Sequence, residues 1–445
     1  MGMITLKEYK NRRQSLLAKM ASNSAALFFS VQEKHHSTTS NNYHYQKNSN
    51  FWYFTGFNEP YALFILFKKN KNNHKSILFN QSRDKYAETW TGRRLGQITA
   101  LKRLGVTMAL PWEDIDNQLY LLLNKLDKVY HAQGESAFAD QILFRALRKL
   151  RQGVSHELKA PTMLIDWRFW VYEMRLIKSQ AELLLIRRAC KISALGHVCA
   201  IKRCQPGLYE YHLEGELHYE FNRQGAPCTS YNTIVASGKN ACILHYTENS
   251  SYMRNGNLVL IDSGCNYQGY ASDISRTFPI NGRFSKEQRI IYTLVLDMLN
   301  YALKFYGPGY TMLELHEKII QIMVSGLWKI GIIRGNMQTF LATQGYQRFF
   351  MHRLSHFLGL DVHDMMGNSG FCEQKKVLEP RMVLTIEPGI YIPCDSDIPF
   401  AYRGIGVRIE ETILITDTGN ENLTDLVIKE VYEIEQLMAK VHQKR

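Results

Sequence analysis

The chain has 445 residues, 45% hydrophobic and 21% charged, with 54 Lys and Arg against 41 Asp and Glu for a formal charge of +13. That length exceeds one ordinary core and predicts two domains, and no stretch approaches the roughly 20 apolar residues of a bilayer-spanning helix, which excludes a membrane protein. Lys and Arg are spread along the chain, enriched only over 68–75 (KKNKNNHK) and 145–151, so a solvated basic surface accounts for them and no nucleic-acid partner is expected.

The first residues, MGMITLKEYKNRRQSLLAKM, are charged and amphipathic and lack the apolar core and cleavage site of a secretory signal, so a cytoplasmic location is expected. SAALFFS, a polar run over 34–50, then FWYFTGF, ALFILFKK and SILFNQ continue an alternation of helical and strand-like segments. Helical patterns over 116–126 and 139–151 complete an α/β domain. Lys159-Ala160-Pro161, followed by IDWRFWVYEMR, places its boundary near Met174. The eight cysteines all fall later, scattered and without a CxxC pair, which predicts reduced thiols.

After Lys178 a long helix opens with Ser179 as N-cap and Glu182 three residues on, keeps apolar spacings of three and four, and stops at Gln205-Pro206-Gly207. A helix over 209–224, strands around YNTIVASG and NLVLIDSG, helices over 286–306 and 312–330, and strand-rich sequence to Thr416 make the second unit α+β. Within it, LVLIDSG (258–264) and VLTIEPG (383–389) share one form: four apolar or β-favouring positions, a carboxylate, one residue, then glycine. Each precedes a second strand with another acid, in ASDISRT and VRIEET. Asp262 with Asp273 and Glu387 with Glu410 thus read as a duplicated αβ half around an acidic pocket.

An ionised carboxylate at the end of an apolar strand needs a partner, because alone in a dry core it would take up a proton. Any one of these acids reads as a turn cap or a satisfied ion pair; together they point to metal. Four carboxylates and an imidazole form an oxygen-rich set that suits Mn2+, with Zn2+, Co2+ or Fe2+ as alternatives. The four negative charges match two divalent ions and a bridging water held as hydroxide. Cys265, beside Asp262, reads as packing rather than as a soft ligand. His245 follows Ser237-Gly238-Lys239-Asn240, and His352, His356 and His363 lie in FFMHRLSHFLGLDVHDMMG, supplying imidazoles for one metal position and for donors to substrate and intermediate.

These residues resemble the bacterial aminopeptidase P family, one of the pita-bread metallopeptidases that also include prolidase, methionine aminopeptidase and creatinase. The likeness runs over nearly the whole chain, from NSNFWYFTGFNEP and ETWTGRRLGQ to YRGIGVRIEETILITDTGNENLT. Its most specific parts are SGKNACILHYTEN, VLIDSGCNYQGYASDISRTFPINGRFS, MHRLSHFLGLDVHD and LTIEPGIYI. The resemblance implies an α/β N-terminal domain of creatinase/prolidase type over 1–174, serving oligomerisation and the active-site entrance. Over 175–445 it implies an α+β pita-bread catalytic domain with an internal pseudo-twofold repeat.

It further implies hydrolysis of the bond between an N-terminal residue and a penultimate proline. Asp262 would chelate one metal, Asp273 and Glu410 would bridge both, and His356 with Glu387 would complete the second. Glu387 would also carry the proton from the attacking water to the leaving proline nitrogen. His363 would contact substrate near the scissile bond, His245 would stabilise the intermediate, and His352 would shape the proline pocket. Arg408 would orient the site through an acidic partner. Trp90, in ETWTGRR, would reach the entrance from a neighbouring subunit, which implies a homotetramer built as a dimer of dimers. Because the proline nitrogen of the substrate has no N–H, a pocket of histidines and aromatic edges would select the ring by shape.

Two features depart from the family pattern. Arg353 replaces the glycine of Met-His-Gly-Leu-Ser-His, which bears on the backbone path and charge of the proline pocket, and residues 37–43 (STTSNNY) lack the acid that relatives carry shortly before a Tyr-x-Tyr segment. Two rival readings stay open: a prolidase, cleaving Xaa-Pro dipeptides with the same ligands, and a pita-bread module that binds peptides without catalysis.

Overall fold

The strand-like segments of the first third pair into one mixed sheet. The structure is a computed structural model and describes residues 4–30, 48–153, 157–364 and 373–442. It divides into two compact units, Ile4–Met174 and Arg175–Arg445. In the first, β1 (Ser24–Phe29), β2 (Leu63–Asn70), β3 (Asn73–Asn80), β4 (Met108–Pro111), β5 (Lys128–Tyr130) and β6 (Met163–Ile165) lie in the order β4-β3-β2-β1-β5-β6. β1 is antiparallel to β2 and parallel to β5, and all its residues are buried, which is why SAALFF is apolar or small throughout instead of alternating. The helix Ala137–Gln152, N-capped by Ser136, buries Ile142, Leu143, Ala146, Leu147 and Leu150 at spacings of three and four. FWYFTGF folds as the helix Ser49–Thr55, ended by Gly56 at a φ of 62°.

The second unit contains β7 (Cys228–Thr229), β8 (Ile234–Ser237), β9 (Leu258–Asp262), β10 (Cys265–Tyr267), β11 (Tyr270–Ala271), β12 (Ser275–Pro279), β13 (Val383–Ile386), β14 (Gly389–Tyr391), β15 (Gly406–Arg408), β16 (Glu411–Ile415) and β17 (Asn420–Asn422). Two three-stranded antiparallel sheets, β8-β9-β12 and β13-β16-β17, carry the two echoing segments, with the short pairings β7-β10-β11 and β14-β15 beside them. Helices Gln180–Arg203 and Glu210–Arg223 pack together, as do Lys286–Phe305 and Met312–Lys329. This is an α+β fold with an internal repeat. Ser179 and Glu182 form the capping box that opens the first of these helices, and Thr311 with Glu314 repeats it in the fourth.

The shared glycine of the two echoes is a demand of close approach. A Cβ at Gly264 would fall 1.9 Å from the Ser272 carbonyl oxygen, where the β10–β11 hairpin returns, and one at Gly389 would fall 2.6 Å from the Tyr391 hydroxyl. The described cysteines are free thiols, and Cys265 is buried with its Sγ 3.4 Å from the Ala189 carbonyl; Cys372 lies outside the described residues. No helix among the described residues is long and apolar enough to cross a membrane.

Candidate metal centre

Breaks in the strands aim the acids at one cavity. Asp262 ends β9 and faces Ser275 of β12 on one side and Ile234 of β8 on the other. Asp273 lies before β12, and Glu410 lies in the gap between β15 and β16. The sequence placed these two acids on strands, but they stand just outside them. Side chains alternate along a ladder, so an acid at a break is free to turn toward the same space as its partner. Ser275 joins the two halves, since its carbonyl accepts the Glu410 N–H at 3.0 Å and its hydroxyl donates to Glu410 Oε2 at 2.9 Å. Glu387 follows β13. Its N–H donates to the Leu354 carbonyl at 2.8 Å and that of Thr385 to the His356 carbonyl at 3.0 Å, so residues 354–358 run beside β13 and bring His356 to Glu387.

A cavity of about 580 Å³ is lined by Asp262, Asp273, His356, Glu387 and Glu410, together with His245, His352, His363 and Arg408. His356 Nε2 lies 3.5 Å from both Asp273 Oδ2 and Glu387 Oε1. Its Nδ1 is 3.2 Å from the Phe357 carbonyl, which only accepts; Nδ1 therefore carries hydrogen, and Nε2 faces the acids. One donor atom each from Asp273, His356 and Glu410 lies within 4.8 Å of the others.

The charges are badly matched without a cation. Burial, reinforced by Asp273 and Asp262, outweighs His356 and Arg408 and raises the Glu387 carboxyl to about 8. Burial and the same acid neighbours push Glu410 well above the carboxylate range, and burial raises Asp262 against the pull of Arg408. For His356 burial works downward, but the Asp273 hydrogen bond and the Glu387 charge lift it to about 9. The oxygen-rich donor set and its excess negative charge fit divalent cations.

Tyr231, which sequence reasoning did not find, is the clearest sign of the mismatch. Its single hydroxyl hydrogen faces Asp262 Oδ1, at 2.6 Å, and Asp273 Oδ1, and can serve only one of them. Its signal lies in strand pairing, because it precedes β8, whose Ile234 stands opposite Asp262.

Behind the acids a polar chain fixes the tautomer of His352. Arg408 donates to Asp262 Oδ2 at 2.6 Å, Ser275 Oγ at 2.8 Å and the Tyr391 hydroxyl at 2.9 Å. His352 Nδ1 is 2.8 Å from the Arg353 carbonyl and so carries hydrogen, leaving Nε2 to accept from the Tyr391 hydroxyl at 2.8 Å. Burial and the Arg408 charge hold this imidazole neutral, down to about 3. Among the described residues the acidic partner of Arg408 is thus Asp262; the segment STTSNNY lies outside them. Arg353 lines the cavity and is absent from the positive-φ residues, so the backbone there does not require glycine.

The His363 ring lies 4.4 Å from that of His356 at 79°. The next residue, Asp364, is buried against Arg175 and against Lys178 at 3.1 Å. His245 reaches the cavity beyond the turn at Gly238–Cys242. Trp90 stands exposed on the helix Lys85–Thr91 of the N-terminal unit.

Residues 185–417 match metallopeptidase family M24, and residues 9–130 match the aminopeptidase P N-terminal domain. The chain is 54% identical to the Xaa-Pro aminopeptidase of Escherichia coli, covering 98% of this chain and 99% of that one, and 43% identical to the Xaa-Pro aminopeptidase of Haemophilus influenzae, covering 98% of each. Its structure superposes on zinc-substituted E. coli aminopeptidase P in complex with product at a TM-score of 0.96 and 54% identity, over 98% of this chain and 99% of that one. With E. coli aminopeptidase P bound to the inhibitor Pro-Leu the TM-score is 0.96 at 53% identity, over 99% of each chain. With a family match over residues 185–417 and a whole-length relative at 54% identity, the chain belongs to metallopeptidase family M24.

Proposed function

We propose that this protein is a metal-dependent Xaa-Pro aminopeptidase that removes an N-terminal residue preceding proline. One observation carries the reading: His356 Nε2 stands between the carboxylates of Asp273 and Glu387 in a cavity whose five acids, Glu373 among them, exceed its two arginines, Arg353 and Arg408. Asp262, Asp273, His356, Glu387 and Glu410 hold two divalent ions, with Mn2+ preferred over Zn2+, Co2+ or Fe2+. The ions would lower the pKa of the attacking water and polarise the scissile carbonyl.

The chain's own groups do the rest. Glu387 takes the proton of the attacking water on a carboxylate oxygen and passes it to the proline nitrogen as the C–N bond breaks. His363 contacts the substrate near the scissile bond, and His245 donates to the carbonyl oxygen as charge develops there. His352, held neutral, offers a flat face to the proline ring; the edge-on contact of Phe350, at 4.7 Å and 85°, fixes its plane. Arg408 keeps Asp262 and the Tyr391 hydroxyl in place and so acts through them.

The same reading places the protein in the cytoplasm as a homotetramer, a dimer of dimers. Its domains are 1–174 for assembly and the entrance and 175–445 for catalysis, with Trp90 of a neighbouring subunit at the entrance. Hydrolysis of Arg-Pro-Pro by metal-stripped enzyme resupplied with Mn2+, Co2+ or Zn2+ tests reaction and cofactor together. Release of arginine, greatest with Mn2+, is expected. Cleavage of Gly-Pro with Xaa-Pro-Yaa left intact would make the protein a dipeptidase, and no hydrolysis with metal bound would make it a peptide-binding module.

A further inference from the structure

We propose that Glu210 is a positioning residue that holds His245 in the active site, an inference that rests on the aminopeptidase reading for the role of His245. Glu210 opens the helix Glu210–Arg223 and is fully buried. Its Oε1 accepts from the Ser237 N–H at 2.7 Å and Asn240 Nδ2 at 3.2 Å, and its Oε2 from the Tyr246 hydroxyl and the Ser251 N–H, each at 2.8 Å. Its own N–H donates to the Ser251 carbonyl at 3.0 Å. All four donors belong to residues 237–251, the excursion that leaves β8, carries Leu244, His245 and Thr247 to the cavity wall and returns.

A carboxylate suits this place. Its two oxygens accept all four bonds, whereas an amide would turn an NH2 group against two of the donors. The helix N-terminus and the two backbone N–H groups stabilise the charge, although no Lys or Arg among the described residues is bonded to it. Tyr246, the residue after His245, is buried with its hydroxyl on Glu210, while His245 is exposed toward the cavity. The excursion is thus tied at the residue adjoining the one that meets substrate. Asn249 adds a second tie, its Oδ1 accepting from the Val235 N–H and its Nδ2 donating to the Thr233 carbonyl, each at 2.8 Å. With Glu210 removed, the backbone donors of Ser237 and Ser251 are unmatched and His245 loses its fixed position, while the five metal-binding residues lie on other segments.

The test is a double-mutant cycle between Glu210→Gln and His245→Ala, read as hydrolysis of Arg-Pro-Pro by Mn2+-loaded full-length enzyme. Glu210→Gln should lower kcat about tenfold with KM moved less, and in the His245→Ala background it should change kcat by less than about twofold. Metal content should stay unchanged, and amide hydrogen exchange over 238–251 should quicken. Independent, multiplying effects would overturn the proposal, as would unchanged exchange in that segment. If Glu210→Gln gives no soluble protein, Tyr246→Phe, which deletes one donor to the same carboxylate, enters the cycle with the same two outcomes. Wild-type enzyme that fails to cleave the tripeptide would sink the aminopeptidase reading alone, and the exchange measurement would still decide the anchoring.

Discussion

Glu410 and Glu411 are neighbours in sequence and equally hidden, at 1% and 0% exposure, yet they meet the cost of burial in opposite ways. Glu411 is matched from within: Arg276 Nη2 lies at 2.8 Å, Lys429 Nζ at 3.2 Å, and the Thr424 hydroxyl donates to the other oxygen. Glu410 has the Ser275 hydroxyl, three acid neighbours that push its carboxyl up, and, among the described residues, no Lys or Arg bonded to its carboxylate, since Arg276 reaches only its backbone carbonyl, at 2.6 Å. An acid that the chain neutralises holds the fold together; one that the chain leaves in excess is poised for a cation from outside.

The largest effect that tests this contrast is the loss of Glu410. Glu410→Gln should reduce Arg-Pro-Pro hydrolysis by about a thousandfold or more and lower the metal bound per chain. Retention of both by atomic absorption and assay would erase the distinction. Glu411→Gln should do the reverse, keeping metal and kcat per folded molecule while costing about 3–5 kcal/mol of stability in urea unfolding, because Arg276 and Lys429 lose a buried partner. A Glu411→Gln enzyme that was stable but inactive would show the two acids to share one role.

A smaller effect separates the regions by pH. In metal-stripped enzyme the Glu387 carboxyl is raised to about 8 from an unfolded value near 4.3, and His356 is raised to about 9 from about 6.5. Both groups bind more protons folded than unfolded, so their contribution is fully present at low pH and is lost as pH rises through the folded values. Buried His197 and half-buried His316, both lowered to about 4, and His352 act in the opposite sense, but only below about pH 6.5. Stripped enzyme should therefore lose thermal stability between pH 6.5 and 8, and saturating Mn2+ should flatten that dependence. A stripped enzyme with constant Tm over this window would contradict the excess of acid.

The sequence carried the acids well because each stands next to an apolar strand, a setting in which a lone carboxylate is costly. It singled out Glu410 within the string IEET by its place after Ile409 but could not say how Glu411 is neutralised, because that depends on Arg276 and Lys429, far away in sequence. Tyr231 was hidden for a related reason: nothing near it differs from an ordinary strand entry until β8 is paired with β9. Helix starts were legible in the capping residues, and the aromatic run at Ser49–Thr55 shows how composition alone leaves helix and strand undecided. An orienting role for Arg408 came only from the resemblance, and its bond to Asp262 depends on how β9, β12 and β15 come together.

Arg353 gives the smallest expected effect and the sharpest question about the pocket. The contact that His352 makes with residue 353 is to its carbonyl oxygen, which glycine also provides, so Arg353→Gly preserves the tautomer that keeps His352 neutral toward the proline ring. The backbone has no positive φ to relieve there, so the substitution only frees the unfolded chain, at a cost of about 0.4–1 kcal/mol. What changes is charge: Arg353 helps hold His316 low and opposes the burial that raises Glu373, another residue of the cavity wall. Arg353→Gly should leave kcat for Arg-Pro-Pro within about threefold and act on KM, since an exposed charge at the wall alters substrate attraction by roughly 1 kcal/mol or less. A fall of tenfold or more in kcat at unchanged metal content would put Arg353 in the chemistry itself.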